Sequence, residues 1–169
     1  MYETVHFQHG ELNGQQIRYY PDGNFWFREN WSKGRRDGVW EWFHGTGDRH
    51  SRCSYIKGFI VGKKVFWSNK SRVREEDHVD GSIAKVCAWY VSGKKRMEGK
   101  YENGKKAGRW AYWKEDGSLQ YEGEWKDGQP WSGYCGVPAD GEAGSVGGAQ
   151  VFSRYRKGKN IGDSQVERF

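Results

Sequence analysis

The most constraining feature of the sequence is a short element, an aromatic residue followed by two residues and a glycine, that recurs along the chain. Six copies read FQHG, WSKG, YIKG, YENG, WKDG and YRKG, and a seventh, HVDG, has His78 in the ring position. Their first residues are separated by 24, 24, 23, 23, 24 and 30 positions. So regular a period in an otherwise dissimilar chain predicts a repeat architecture. We therefore expect residues 1–169 to form a single repeat domain.

Turn-forming residues punctuate each repeat twice. A second glycine follows the first by four positions in most copies, and we expect these glycine pairs to form the turn between repeats. Later in the repeats come PDG, GTGD, SNKS, VSGK and EDGS, which are typical of hairpin turns because glycine enters positive φ at low cost. In YEGEW, the side chains of Tyr121, Gly123 and Trp125 share one face, as in a strand. No segment has apolar residues at helical spacing.

These signals together predict an all-β fold. We expect an elongated, solenoid-like stack of antiparallel β-hairpins with about seven units of 23–24 residues. The half-unit before Gly10 and the segment after Gly133 are expected to cap the stack, and the Gly/Ala-rich insert 136–150 to form a loop. An incompletely capped strand edge would allow homo-association.

Two stretches carry a resemblance to a known family. YEGEWKDGQPWSG, residues 121–133, resembles the MORN repeat, and NGKKAGRWAYWKEDGSLQYEGEW is similar to its variant form, found in bacterial antitoxin-like proteins and in large DNA viruses of amoebae. The resemblance covers about six of the seven units. It implies a β-hairpin solenoid used for protein contacts, in some cases for acidic lipid headgroups, and it does not imply an enzyme.

Aromatic doublets recur near the middle of the repeats. Adjacent strand residues point to opposite faces, so each doublet places one ring on each side of the sheet. One ladder of rings can form the core, and the other is either covered by twist and turns or left open as a groove for a partner. The candidate partner-binding ladder consists of Trp42, Phe66, Trp89 and Tyr112.

Basic residues cluster around the motif glycines at the repeat period. With a net charge of +6, they predict a positive rim that would attract an anion or an acidic partner. The alternative is that they keep exposed turns soluble and discourage sheet aggregation. The candidate anion-binding rim comprises Lys33, Arg35, Arg36, Lys57, Lys63, Lys64, Lys105, Lys106, Lys157 and Lys159.

Catalytic and metal-binding patterns are not evident. The sequence contains no G-x-S-x-G, H-E-x-x-H or Walker pattern, so we predict no catalytic residues and no enzyme activity. His44 and His50 can approach across a turn, but zinc would need two more ligands, so we expect no metal and no cofactor. Cys53, Cys87 and Cys135 are odd in number and widely spaced, which favours a reducing, cytoplasmic location, with packaging in a virus particle as an alternative.

The expected function is a non-enzymatic scaffold that mediates protein–protein interaction. The partner would be a toxin, for an antitoxin- or immunity-like binder, or neighbouring subunits of an assembly such as a viral particle. A membrane-surface adaptor for acidic phospholipid headgroups is one alternative. Nucleic-acid binding through the basic rim is a weaker alternative, because no known nucleic-acid motif is present.

Overall fold

The structure is a computed structural model that describes residues 2–138 and 149–168. Every regular element in those ranges is a β-strand, and the strands pair antiparallel, which confirms the all-β class. The chain divides into two compact units, Met1–Lys94 and Lys95–Phe169. In a repeat protein, most contacts are between neighbouring repeats, so a single repeat domain can also divide into such units. The single domain therefore stays a prediction.

Unit 1 is built from eleven strands. They are β1 (Glu3–Thr4), β2 (Phe7–Gln8), β3 (Glu11–Leu12), β4 (Gly14–Tyr19), β5 (Phe25–Ser32), β6 (Arg35–Arg36), β7 (Gly38–Phe43), β8 (Arg49–Ile56), β9 (Phe59–Ser68), β10 (Ser71–Val79) and β11 (Ser82–Trp89). The main sheet has the order β1-β4-β5-β7-β8-β9-β10-β11, with β6 also paired to β5. β2 and β3 form a separate two-stranded pair. Nearly every strand therefore lies beside its neighbour in the sequence.

Unit 2 is built from six strands in strict sequence order, each paired antiparallel with the next. They are β12 (Lys95–Glu102), β13 (Lys105–Trp113), β14 (Leu119–Lys126), β15 (Gln129–Pro138), β16 (Ala149–Arg156) and β17 (Lys159–Arg168). The alternation predicted for YEGEW is confirmed, because Tyr121, Gly123 and Trp125 are buried and the two intervening glutamates are exposed.

The motif glycines form the tight turns of the hairpins. At all seven copies the glycine and the residue before it both have positive φ, the combination that two-residue hairpin turns of type I′ require. The pairs are His9–Gly10, Lys33–Gly34, Lys57–Gly58, Asp80–Gly81, Asn103–Gly104, Asp127–Gly128 and Lys157–Gly158. The second glycine was expected to share this turn, but Gly62, Gly108 and Gly133 lie inside strands.

The second set of turns follows a common pattern. In residues 20–24, 44–48, 90–94 and 114–118, the first residue's N–H donates to the fifth residue's carbonyl, and the fourth residue's N–H donates to the first residue's carbonyl. The fourth residue is a glycine with positive φ each time. The SNKS turn lacks glycine and instead places Asn69 and Lys70 at positive φ between β9 and β10.

Each unit has its own aromatic core. In unit 1 the buried cluster is Trp40, Cys53 and Tyr55, with partly buried Trp31, Trp42 and Ile60 packed against it. In unit 2 the large buried side chains include Trp110, Tyr112, Tyr121 and Trp125. Rings dominate both cores because each can bury about 150–250 Å².

The predicted insert 136–150 is shorter than expected. β15 continues through Pro138 and β16 begins at Ala149, with Val137 paired to Val151 and Pro138 to Gln150. Residues 139–148 of the insert lie outside the described residues.

Candidate functional site

A concave surface of unit 1 is an open cleft of about 410 Å³, here called the aromatic cleft. It lies over the strands β5, β7, β8 and β9 and the turns beside them. Its lining residues are Tyr20, Trp26, Trp42, Phe43, His44, His50, Ser51, Lys64 and Phe66. None of these nine residues carries a carboxylate.

The floor of the cleft is set by strand register. Trp42 on β7 is paired with Ser51 on β8, and Ser51 is paired with Phe66 on β9. Directly paired residues share a face of the sheet, so the small serine lies between two large rings. Two strand spacings place the backbones that carry those rings about 10 Å apart. Because Ser51 is buried and short, a gap remains between the rings.

One wall of the cleft is fixed by aromatic packing from the preceding hairpin. The rings of Tyr20 and Trp26 are stacked with centroids 5.7 Å apart. The Tyr20 hydroxyl donates a hydrogen bond to the carbonyl oxygen of Phe43 at 3.0 Å, which holds the ring against the next hairpin. This wall is therefore preorganised rather than formed by mobile side chains.

Polar groups also line the cleft. The Lys64 ammonium lies 4.9 Å from the Phe66 ring centroid and 5.9 Å from the Trp42 ring, within range for cation–π attraction. The His44 and His50 rings meet edge to face at 4.9 Å, and Nδ1 of His50 is 3.2 Å from the Ser51 hydroxyl. Burial, together with His44 and Lys64, lowers the pKa of His50.

The predicted partner-binding ladder is divided by the structure. Trp42 and Phe66 come together in the aromatic cleft. Trp89 is covered by the Arg72 guanidinium, which lies 4.3 Å from its ring centroid. Tyr112 is only 2% exposed, so it belongs to the core of unit 2 and cannot offer its ring to a partner. Burial raises the pKa of its hydroxyl.

The predicted basic rim has more than one structural role. Arg36 lies over the Trp40 and Tyr55 rings, and the Lys106 ammonium lies 4.5 and 4.4 Å from the Trp110 and Trp125 rings. Lys63 pairs with Glu75, while Lys64 lines the cleft. The other members are exposed in or beside hairpin turns: Lys33, Arg35, Lys57, Lys105, Lys157 and Lys159.

A second periodic set of cations was missed by sequence reasoning. Arg49, Arg72 and Lys95 lie nine residues before Gly58, Gly81 and Gly104, and are separated by 23 residues each. Each lies over a tryptophan of the following strand, with Arg49 over Trp67, Arg72 over Trp89 and Lys95 over Trp113. Their spacing was visible in the sequence, and these contacts cover aromatic rings that would otherwise face solvent.

Buried carboxylates on unit 1 are held by arginines. The Glu41 carboxylate lies 2.8 Å from Arg28, 3.0 Å from Arg49 and 3.8 Å from Arg52. Glu76 is paired with Arg74 at 2.6 Å and with His78 at 3.1 Å. These acids are therefore engaged within the protein.

Within the described ranges, no group of three or more His, Cys, Asp or Glu side chains is placed to hold a metal ion. Nor does any helix in that part of the chain have the length and apolarity to span a membrane. Comparison of the chain with protein-family models and with curated proteins finds no matching family and no matching protein.

Proposed function

We propose that this chain is a non-enzymatic MORN-type repeat scaffold that binds another protein through its aromatic cleft. The observation that carries the proposal is the cleft itself, an open concavity with aromatic rings and a few polar groups, formed between Trp42 and Phe66. Aromatic concavities with a few polar groups are typical of binding sites, and Trp and Tyr are favoured at interaction hot spots.

The repeat architecture is part of the same proposal. Seven hairpin turns with the same pair of positive φ values, six of them spaced by 23 or 24 residues, support a solenoid-like stack of about seven units. In such a stack the repeated positions maintain the fold and single departures from the repeat supply a binding site.

Binding explains the cleft better than catalysis does. A catalytic serine needs a histidine beside its hydroxyl, and in the cleft Ser51 has this arrangement with His50. Ser51, however, is only 3% exposed and forms the floor between two rings. A nucleophile must be reached by its substrate, and a serine at this depth is not accessible. The remaining lining groups are rings and cations, which suit recognition.

A protein partner is favoured over a membrane or nucleic acid because several basic residues of the predicted rim interact with other side chains of the protein. Arg36 and Lys106 cover core tryptophans and Lys63 is paired, so the rim offers fewer free cations than its sequence indicates. Headgroup and phosphate binding both depend on several cations acting together. A toxin bound by an antitoxin-like chain and a neighbouring subunit of an assembly are both compatible with this reading.

The test immobilises the chain, incubates it with an extract of the source cell, and quantifies the captured proteins by mass spectrometry. Phe66→Ala removes one ring of the cleft, and Phe59→Ala, on the same strand but 62% exposed outside the cleft, is the matched control. We expect Phe66→Ala to weaken capture by about 30-fold, the effect of losing a hot-spot ring. Equal capture by both variants, with unchanged circular dichroism, would remove the cleft from the interaction.

A further inference from the structure

Lys64 is a cation without a carboxylate partner among the described residues. The residue paired with it across the sheet is Glu76, but that carboxylate is held by Arg74 and His78. The adjacent Lys63, on the other face, has Glu75 at 3.2 Å. Lys64 is half-buried between two rings, so its ammonium has lost part of its hydration.

The lining of the cleft offers Lys64 no counter-ion. None of the residues that line the cleft with Lys64 carries a carboxylate. A partly desolvated ammonium without a counter-ion attracts a carboxylate more strongly than a solvated surface lysine does. The cleft therefore complements an anion beside Lys64 and an apolar group against the Trp42 and Phe66 rings.

The shape of the cleft limits the size of the apolar group. The gap over Ser51 lies between rings carried by strands about 10 Å apart and is shared with the Lys64 ammonium, so at most one partner side chain can enter it. An aromatic or large aliphatic side chain placed there would contact Trp42 and Phe66, and an adjacent carboxylate would reach Lys64.

We propose that the aromatic cleft recognises a peptide segment of the partner in which an acidic residue adjoins an aromatic or large aliphatic residue. The proposal rests on the proposed function, since it names the chemistry of the partner at the same site. A single cation in a concave slot suits a single carboxylate, whereas a lipid surface or nucleic-acid backbone is bound by cations spread over a larger area.

The experiment uses an array of hexapeptides in which every pair of residues stands at the centre of a Gly-Ser frame. We expect the purified chain to prefer peptides with Asp or Glu beside Phe, Trp, Leu or Ile by about tenfold over the same peptides with Asn or Gln. Equal binding of acid and amide peptides, a preference for basic peptides, or no binding to any peptide would each overturn the proposal.

Two charge-matched variants separate the cleft from general electrostatics. Lys64→Gln should abolish the acid preference, whereas Lys63→Gln, which removes the same charge from the other face, should retain it. Lys64→Arg should restore binding, and circular dichroism checks the fold of all three. An equal loss in both glutamine variants would show non-specific attraction and refute the assignment.

Other occupants are separate arms of the same experiment. Phosphatidylserine vesicles and an oligothymidylate strand are tested alongside the array, and sedimentation equilibrium tests self-association. Lys64-dependent binding of vesicles or oligonucleotide, or a dimer lost in Phe66→Ala, would overturn the peptide assignment. If Phe66 controls capture but acid peptides are not preferred, the proposed function stands and this inference fails. If capture is independent of Phe66, the proposed function fails.

Discussion

Gly99→Ala tests whether aromatic packing requires a glycine in the core of unit 2. Gly99 is buried in β12, and its φ is not in the positive range, so alanine fits the backbone there. A Cβ at this position, however, overlaps the six-membered ring of Trp110. The expected defect is therefore a steric clash rather than backbone strain.

The size of the effect follows from how firmly Trp110 is held. Its side chain is 2% exposed, its indole N–H donates to the Lys100 carbonyl at 3.1 Å, and the Lys106 ammonium lies over its ring. Overpacking costs about 1–3 kcal/mol, and losing the indole hydrogen bond about 1 kcal/mol more. We expect a loss of about 2–4 kcal/mol, which lowers Tm by about 4–16 °C.

Two other glycines separate steric clash from conformational strain. Gly117 has φ 95° but open space around its Cβ position, so Gly117→Ala should cost about 1 kcal/mol. Gly45 has neither positive φ nor a close neighbour, so Gly45→Ala should be neutral or stabilise by about 0.5 kcal/mol.

Guanidinium unfolding followed by circular dichroism measures all three variants. Combining Gly99→Ala with Trp110→Leu makes room for the Cβ, so the double variant should be more stable than the sum of the singles by at least about 1 kcal/mol. The reasoning is refuted if Gly99→Ala is as stable as Gly45→Ala, or if the two changes are additive.

Two predictions concern buried titratable groups. Burial raises the pKa of the Cys53 thiol and raises the pKa of the Cys135 thiol to about 11. Both thiols should therefore resist alkylation by iodoacetamide at pH 8 until guanidinium unfolds the protein. Rapid alkylation of either thiol in the native protein would contradict this prediction. Burial lowers the pKa of Lys106 from 10.5 to about 8. The free-energy cost of burying the charged ammonium is therefore fully present below pH 8, and it disappears as the pH rises from 8 to 10.5. Lys106→Met should therefore gain stability over the parent chain at pH 7.5 and lose about 1–3 kcal/mol of that advantage by pH 10.5 in urea melts, while exposed Lys105→Met should show no such change.

Turns and strand alternation could be predicted because they depend on local properties. Glycine adopts positive φ at low cost whatever its neighbours are, and all seven motif glycines have positive φ in hairpin turns. The alternation in β14 follows from the two-residue period of a strand. Neither needs knowledge of the neighbouring strand.

Exposure of a ring could not be predicted in the same way, because it depends on the residue across the sheet. Trp42 and Phe66 line a cleft because register places Ser51 between them. Trp89 was expected on the same face as Phe66, but Arg74 is paired with both Phe66 and Ala88, so Trp89 lies on the opposite face, where Arg72 covers it. Arg36 and Lys106, both predicted for the anion-binding rim, also lie over core rings, which could not be predicted because the sequence shows the charge of a side chain but not the ring beside it.

The cleft lies beside a position of the repeat that holds tryptophan in two of the seven copies, the others having Gln16, Lys64, Cys87, Tyr134 and Ser164. The two tryptophans at this position, six residues after the motif glycine, are Trp40 and Trp110. Both are 2% exposed, and both donate the indole N–H to the carbonyl of the residue ten positions earlier. In the repeat that begins at Tyr55, the same position is Lys64. A lysine at this position does not fill the volume of an indole, so space remains beside Trp42 and Phe66, and the side chain that leaves the space also supplies its charge. A cation at this position packs less volume than the tryptophans of the other two repeats and has no carboxylate partner among the described residues, and this is the reason to assign Lys64 to binding.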